Sequence, residues 1–516
     1  MLMIRLRLYG PMAVLAEDGT PLTPKGMKTQ ALVALIALAP DMRRSRVWLQ
    51  DRLWSDRDEA QASASLRQAV YQLRQSLGSA GALLHSDRQV LSFDPSRIAI
   101  LPPEDGPDSE LLQGIDIRDP EFEHWLNLQR MADQPAPQAR ATRATERPTT
   151  VQISVDRTLS PDLYLLGQLV ADMFAQALEE RALTEVRLAE TEESADFELA
   201  LMVFPGDRCV LRGQLLDRRS HRLCWSRMMT LRPGPGRPFE QAGIARFVNA
   251  GIEAAWKAQL DNQSGIASGN RRIHMAVRRM FSYRLGDLAA AEDLLRDLPA
   301  EDATVAGWRM MLRLLQVVER ARPADGGMID EVEGLLHDAL LYGPANSMAL
   351  SGAANACLHI LDRTEDGLAL ARRAVQISPS NPFAYDALTT GLLRLGRFEA
   401  AYRTAVRASY IAEMTQAAHF FDMGRCLAAL VTNRMDEARK LANHAVAIAP
   451  ASRPALRYQA IFEARAGNLD RAAAAIRRLT ALENGFEIRQ IADDPDYPVA
   501  SLRRSNLPND VLRSLY

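Results

Sequence analysis

Residues 362–396 read DRTEDGLALARRAVQISPSNPFAYDALTTGLLRLG, and this stretch contains the elements of two packed helices. Gly367 and Ala374 are seven residues apart, so they lie on one face of a helix, where small side chains allow a close neighbour. Pro379 follows where that helix must end, and Gly396 stands where the next helix must turn back. The stretch therefore predicts a helical hairpin.

The same features recur along the C-terminal half of the chain in three registers. Two registers of small residues and one of turn residues share spacings of 34 to 37 residues. The three sets are Val332, Gly367, Ala401, Ala438 and Ala472; Ala339, Ala374, Ala408, Ala445 and Leu479; and Asp362, Gly396, Asn433 and Gly467. Because three registers share one period, the pattern indicates repeated helix pairs.

This period and these small residues resemble the tetratricopeptide (TPR) repeat, whose paired helices stack into a superhelix. The resemblance covers residues 327–484, and the helical pattern of 271–320 extends the expected all-α repeat domain to 271–485. Residues 486–516 are expected to cap the array. The resemblance implies a protein or peptide partner on the concave face of the superhelix.

Residues 151–262 have a different pattern, with a strand, a helix and a second strand ahead of a longer β-rich run. That run, FELALMVFPGDRCVLRGQLLDRRSHRLCWSRMMTL at 197–231, predicts a β-meander, and a helix follows it. It resembles the TolB-like N-terminal domain, in which a hairpin ends in a Leu-Trp-Ser-like triplet; here the triplet is Cys224-Trp225-Ser226. The resemblance implies a small α/β domain.

Residues 1–100 predict a sheet, three helices and a closing hairpin, in that order. Strands are expected at 4–10, 12–19 and 21–25, and helices at 26–39, 44–53 and 58–77. The hairpin strands LLHS and QVLSF flank Asp87 and Arg88. This order of elements resembles the OmpR-type winged helix, a DNA-binding domain, so the whole chain is expected to be a multidomain α+β protein.

Four motifs within this segment resemble the Streptomyces antibiotic regulatory protein (SARP) family of bacterial activators. They are LRLYGPMAVLAEDGTPL, KTQALVALIALAP, SRVWLQDRLWSD and SLRQAVYQLRQSLG, in this order. The resemblance implies a winged helix over 1–100 and places the short loop 55–58 near RNA polymerase. No GxxxxGK[ST] motif occurs, so activation driven by nucleotide hydrolysis is not expected.

The segment ELLQGIDIRDPEFEHWLNLQR, at 110–130, resembles the stretch that joins the winged helix to a helical-repeat domain in the SARP family. We therefore expect an acidic helical connector over 101–131. A flexible linker is expected over 132–150, because this stretch has three prolines and no apolar periodicity.

The third predicted helix has one apolar face and one polar face without carboxylates after Glu59. Its opposite and flanking positions are the candidate DNA contacts Gln61, Ser65, Arg67, Gln68, Tyr71 and Arg74. Gln amides can pair with adenine edges, and Arg guanidinium groups with guanine edges or phosphates. A solvated helix face usually mixes Glu with Lys, so this face favours DNA contact.

Four further arginines are candidate phosphate contacts, with polar turn residues as the alternative. Arg43, Arg44 and Arg46 are expected at the N-terminus of the second helix, where amide and guanidinium groups can address a phosphate. Arg88 is expected at the hairpin tip, within reach of a neighbouring groove. Residues 1–100 hold 13 Lys/Arg and 9 Asp/Glu, so binding should weaken with salt.

Composition excludes several classes of protein. The 516 residues carry a formal net charge of -2 and are 47% hydrophobic, which is typical of globular domains. The longest apolar run, at 31–39, is too short to span a membrane. Four cysteines lie far apart without a CxxC pair, so a disulfide framework and a cysteine-based zinc site are excluded. We expect a cytoplasmic protein without membrane contact.

No catalytic or cofactor motif occurs in the chain. HExxH, GxSxG and GxGxxG are all missing, and the eight histidines are scattered without metal-ligand spacing on a helix. We therefore expect neither an enzyme nor a cofactor or metal site.

Together these patterns predict a bacterial transcriptional regulator that binds specific double-stranded DNA and receives a protein or peptide signal through its TPR and TolB-like domains. Family resemblance favours an activator. The alternative is a TPR scaffold whose winged helix binds another protein, and a third reading makes the middle domain a small-molecule sensor. No residue decides the oligomeric state, so a homodimer remains open.

Overall fold

A computed structural model provides the structure of the chain. It describes residues 3–39, 42–55, 57, 59–101, 110–133, 149–156, 160–181, 184–188, 195–205, 209–231, 242–261, 269–284, 286–299, 301–483, 485–494 and 497–505. The protein is a mixed α+β chain that divides into two compact units, residues 1–137 and 138–516. None of the helices in the described ranges is long and apolar enough to cross a lipid bilayer.

The first unit combines short strands with four helices around one hydrophobic core. The strands are β1 (Ile4–Arg7), β2 (Ala13–Ala16), β3 (Arg43–Ser45), β4 (Leu84–Ser86), β5 (Val90–Phe93) and β6 (Ile98–Ile100). The helices are α1 (Met27–Ala37), α2 (Arg46–Leu53), α3 (Glu59–Leu77) and α4 (Pro120–Asp133). Apolar faces of all four helices meet in that core.

The N-terminal sheet has the order β2-β1-β6. β2 is antiparallel to β1, and β6 is parallel to it. The sequence predicts the third strand at 21–25, but this prediction is wrong. Pro21 forms only an isolated bridge with Leu15, because proline has no amide hydrogen to donate to a ladder. The third strand is β6, which the sequence pattern did not predict.

A second sheet, of order β3-β5-β4, joins the hairpin to the start of α2. β3 is antiparallel to β5, with Arg43 opposite Ser92. The prediction that Arg43 and Arg44 lie at the N-terminus of the second helix is wrong. Their backbone groups pair with β5, and the helix begins at Arg46 behind its N-cap, Ser45.

The acidic segment after the hairpin belongs to the core of the first unit. Phe122 and Trp125 of α4 are buried in that core. Asp119, just before α4, accepts hydrogen bonds of 2.9 Å from both the amide and the hydroxyl of Ser55. The predicted acidic helical connector over 101–131 thus contributes a helix to the first unit, since the apolar face of α4 helps to close this core. The predicted linker lies mostly outside the described residues.

The second unit begins with a five-stranded sheet and two helices. The strands are β7 (Thr149–Val155), β8 (Thr184–Leu188), β9 (Phe197–Phe204), β10 (Cys209–Asp217) and β11 (Arg222–Leu231), and the helices are α5 (Pro161–Arg181) and α6 (Ala242–Asp261). The sheet order is β11-β10-β9-β7-β8, with β7 parallel to both neighbours and the other pairs antiparallel. Trp225 packs against the rings of Phe174 and Phe247, so it is a packing residue.

Twelve further helices make six consecutive hairpins, and two short helices follow. They are α7 (Gly269–Met280), α8 (Asp287–Arg296), α9 (Ala303–Val318), α10 (Gly326–Tyr342), α11 (Ser347–His359), α12 (Thr364–Ile377), α13 (Pro382–Arg394), α14 (Phe398–Ala412), α15 (Ala418–Val431), α16 (Met435–Ile448), α17 (Arg453–Arg465), α18 (Leu469–Leu482), α19 (Gln490–Asp493) and α20 (Ala500–Arg504). The last part of the expected cap, from 506 onward, lies outside the described residues.

The three sequence registers have the structural roles that their residue types predict. Every residue of the two small-residue registers is buried. The turn residues Asp362, Gly396, Asn433 and Gly467 have φ between 54° and 78°. This left-handed backbone favours Gly and tolerates Asn and Asp. The prediction of TPR-like helix pairs is thus confirmed.

The α/β layer and the helix pairs share one hydrophobic core. Arg181 at the end of α5 is buried and donates to the side chain of Asn249 and to the backbone oxygen of Ser380. Glu180 accepts a hydrogen bond from the Ser347 hydroxyl. The sequence separates a TolB-like domain from a repeat domain, whereas these buried polar contacts join both into one compact unit.

The array of helix pairs curves so that its second hairpin meets its last. Arg457 of α17 is fully buried and donates to the backbone oxygen of Val318, at the end of α9, over 2.9 Å. Arg453, one turn earlier, forms a buried ion pair with Glu319. These contacts join residues up to 139 positions apart in the chain.

Helix α11 is covered on all sides, and aromatic side chains cover parts of its neighbours. Every residue of α11 from Ser347 to Leu358 is buried. The ring centroid of Phe281, in the segment after α7, lies 5.9 Å from that of Phe383 and 5.4 Å from that of Phe420. The resemblance to the TPR repeat implies a partner on the concave face, and over this stretch Phe281 and neighbouring aromatic side chains occupy part of the inside of the array.

Asp386 of α13 lies in this covered interior, and its ionisation should make the stability depend on pH. Burial raises the pKa of its carboxyl from 3.8 to about 7, and the neighbouring Asn355 amide offsets only part of that effect. Between these pKa values the folded chain binds more protons than the unfolded chain, so this contribution to stability is lost as pH rises.

We expect the free energy of unfolding of Asp386→Asn, relative to that of the wild type, to increase by about 1 kcal/mol or more from pH 5 to pH 8. Each pKa unit corresponds to about 1.4 kcal/mol. Urea unfolding at several pH values measures the difference. Asp470→Asn, at an exposed position of α18, is the control and should show a constant difference. A constant difference for Asp386→Asn as well would contradict the prediction.

Candidate nucleic-acid interface

Helix α3 turns one apolar face to the core of the first unit and one polar face to solvent. Its 19 residues contain no Gly or Pro, and they are rich in Ala, Leu, Gln and Arg, which favour helix. Leu66, Leu73 and Leu77 are buried in the core, as the sequence predicts. This packing holds the opposite face of α3 toward solvent.

Five exposed residues follow one another along the centre of this opposite face, at alternating intervals of three and four. This α3 row consists of Gln61, Ala64, Gln68, Tyr71 and Gln75. The Tyr71 side chain is 59% exposed, although it is large and aromatic. The row has no charged group, and its amide and aromatic groups can contact the edges of bases without repelling phosphates.

Three arginines, Arg46, Arg67 and Arg74, lie on one side of the α3 row, and two of them contact the hairpin. Arg46 Nη1 donates to Ser86 Oγ over 3.1 Å, and Arg74 Nη2 donates to the backbone oxygen of Leu84 over 3.2 Å. Burial, together with the positive charges of Arg67 and Arg74, lowers the pKa of Arg46. The carboxylate of Asp87 acts in the opposite direction and offsets part of this effect.

The hairpin presents Arg88 at a turn that two hydrogen bonds stabilise. Asp87 Oδ1 accepts hydrogen bonds of 2.7 Å from the amides of Gln89 and Val90. These two bonds hold the pKa of Asp87 below its ordinary value. Arg88 is exposed at the tip between the two strands, where its side chain is open to an external anion.

The three arginines at and just before the start of α2, Arg43, Arg44 and Arg46, differ in their surroundings. The Arg44 guanidinium lies 4.3 Å from the centre of the Trp48 ring. Ser45 Oγ accepts a hydrogen bond from the Trp48 amide, so one amide at this helix N-terminus already has a protein acceptor. Arg43 is exposed and Arg46 is half-buried. Any phosphate contact here depends on guanidinium groups more than on helix amides.

On the other side of the α3 row lies Arg57, which the sequence analysis did not select. Its Nη1 donates to Ser65 Oγ over 2.7 Å, and Ser65 Oγ donates to the backbone oxygen of Gln61 over 2.8 Å. The Ser65 hydroxyl therefore positions Arg57 beside the helix. A basic residue two positions before the helix is the only sequence signal that could have identified it.

Lys28, at the start of α1, was also missed. It donates to the backbone oxygen of Leu53, and its Nζ lies 5.4 Å from the centre of the Trp54 ring. Lys28 and Arg57 border an open groove of about 380 Å³ along α3, which Gln68 also lines. No spacing along the chain relates α1 to α3, so only their packing reveals that cations flank the α3 row on both sides.

A metal centre is not supported in the part of the chain that the structure describes. No group of three or more His, Cys, Asp or Glu side chains there could hold a metal ion. All four cysteines are free thiols. The α3 row and its flanking cations form the candidate functional site.

Comparison with known proteins gives a match to solved structures over part of the chain. No protein-family model matches the sequence, and no curated protein matches it. Among solved structures, the chain is similar to YrrB, described as a TPR protein with an unusual peptide-binding site. The two share 14% identity with a TM-score of 0.24, over 39% of this chain and 94% of YrrB.

Proposed function

We propose that the protein is a sequence-specific DNA-binding transcriptional regulator whose first unit acts as a winged helix. The observation that supports this proposal is the uncharged α3 row, with Arg46, Arg67 and Arg74 on one side and Lys28 and Arg57 on the other. A helix in the major groove meets base edges at its centre and phosphates at its flanks. On this surface, likewise, the uncharged row lies at the centre and the cations lie at its flanks.

The hairpin fits the same proposal. Arg88 at its tip and the arginine cluster beside it extend the basic surface away from α3 in one direction. Phosphate contacts position a protein on a duplex, while contacts to base edges specify the sequence. In this assignment Arg43, Arg44, Arg46, Arg67, Arg74 and Arg88 position the duplex, and Gln61, Gln68 and Tyr71 face the bases.

The second unit would couple DNA binding to a protein or peptide signal, and family resemblance to SARP activators favours activation. Because the inside of the helix array is occupied by Phe281 and its neighbours, such a partner would displace these side chains or bind the outer surface. RNA polymerase, near the loop 55–58, and a second copy of the chain are the other proposed partners.

Selection from random duplexes tests the proposal on the full-length protein. We expect a few related sequences to be enriched and their affinity to fall steeply between 50 mM and 200 mM salt, because each phosphate contact releases condensed counterions. Enrichment of no duplex at low salt, with the protein folded, would contradict the proposal and leave the scaffold alternative. A selection at both salt concentrations separates specific binding from non-specific attraction.

A further inference from the structure

The cations around α3 lie beside the α3 row and not within it. This distribution of charge affects which bases the helix could contact. The central positions of the α3 row, from Ala64 through Gln68 to Tyr71, are exposed and uncharged. With a rise of about 1.5 Å per residue, these positions span roughly 10 Å, which corresponds to about three base pairs at about 3.4 Å each.

Two of the arginines nearest to this row are held by hydrogen bonds within the protein. Arg74 is bound to the backbone oxygen of Leu84 in the hairpin, and Arg57 to the Ser65 hydroxyl. Arg67 is exposed but lies on the hairpin side, near enough to Arg46 to lower the pKa of that residue. These cations can meet phosphates, while the centre of the row has none.

The hydrogen-bonding code of the major groove then favours one class of base pair. Arg and Lys recognise guanine, acidic side chains recognise cytosine, Gln and Asn recognise adenine, and apolar groups contact the thymine methyl. The centre of the row has an amide at Gln68, a methyl at Ala64 and an aromatic ring at Tyr71. It has neither a cation for guanine nor a carboxylate for cytosine.

We propose that the centre of the α3 row, formed by Ala64, Gln68 and Tyr71, recognises an A·T-rich core of about three base pairs, in which Gln68 discriminates for adenine. The inference rests on the proposed DNA binding and adds the class of sequence that is bound. Gln68 is the appropriate residue because it is exposed at the middle of the row. Gln61 makes a further contact within the protein, and Gln75 lies near the C-terminal end, away from the part of a recognition helix that usually reaches bases.

Selection from random duplexes with the full-length wild type and two Gln68 variants tests this inference. We expect the wild-type motif to have A·T pairs at its core. Gln68→Arg should replace one adenine by guanine in the motif and bind the wild-type site about 10-fold more weakly, as expected when a bidentate contact to a base is changed. Gln68→Ala should lose the preference at that single position without gaining one for guanine.

Gln75→Arg is the matched control, because it adds the same charge to the same helix two turns away. It should change affinity for all duplexes alike and leave the motif unchanged. A wild-type motif with a G·C-rich core, or a motif that Gln68→Arg does not alter, would overturn the inference while DNA binding stands. Failure to enrich any duplex would overturn both the inference and the proposed function.

Discussion

Reversing the charges of Arg67 and Arg74 together should weaken DNA binding by about 100-fold or more. Each guanidinium is assigned a phosphate contact, and a hydrogen bond to a charged group contributes about 1.5–3 kcal/mol. Two such contacts correspond to roughly 100-fold in affinity or more. Repulsion of the phosphates by the new carboxylates adds to this loss. Titration of the enriched duplex with Arg67→Glu/Arg74→Glu measures the effect.

The matched control is Arg477→Glu/Arg478→Glu, which reverses two exposed arginines on α18 in the second unit. It makes the same change in net charge but should leave affinity nearly unchanged. The salt dependence gives a second readout, since losing two phosphate contacts should reduce the slope of log affinity against log salt by about 2. Unchanged binding by a folded Arg67→Glu/Arg74→Glu protein would exclude α3 as the DNA-binding helix.

Replacing Arg457 by Met should destabilise the second unit by about 3–5 kcal/mol, the typical cost of removing one partner from a buried ion pair. The Arg457 side chain is fully buried and pairs with Glu483. Its Nε also lies 3.0 Å from the hydroxyl of Tyr497. Its bond to Val318 joins α17 to α9, in the second hairpin of the helix array. Without Arg457, the buried Glu483 carboxyl would have lost its charged partner.

Urea unfolding of the full chain measures the loss of stability, and hydrogen exchange at α9 and α17 locates it. The double variant Arg457→Met/Glu483→Gln should recover part of the loss, because the unpaired charge is then removed as well. The exposed Arg477→Met should change the unfolding free energy by less than about 0.5 kcal/mol. An Arg457→Met protein as stable as the wild type would mean that the closure of the array does not depend on this ion pair.

Sequence reasoning anticipated the parts of the site that lie on one helix. Gln61, Gln68 and Tyr71 could be placed on a common exposed face because helical periodicity relates them directly. It did not anticipate Lys28 or Arg57, which reach the same surface only because α1 and the residues before α3 pack there. It misplaced Arg43 and Arg44, because their strand pairs with a hairpin more than forty residues later.

The accuracy of the fold prediction likewise depended on how far apart in the chain the contacting residues lie. The helix pairs could be predicted because small residues and turn residues recur at one period, and each hairpin depends on contacts between near neighbours. The burial of α4 could not, because the acidic residues of this segment, typical of a solvated connector, outweighed Phe122 and Trp125 in the sequence pattern. Phe122 and Trp125 are buried because α4 packs against the core of the first unit.

The sequence by itself determined the helix pairs of the C-terminal half and the two faces of α3, since both follow from residue spacing within a few helical turns. The tertiary structure alone decided that α9 meets α17, that Phe281 packs inside the array, and that Arg46 and Arg74 both contact the hairpin. Such contacts arise from the direction in which each packed element leaves its neighbour. The relative position of distant residues is therefore the sum of many packing angles, which no local pattern records.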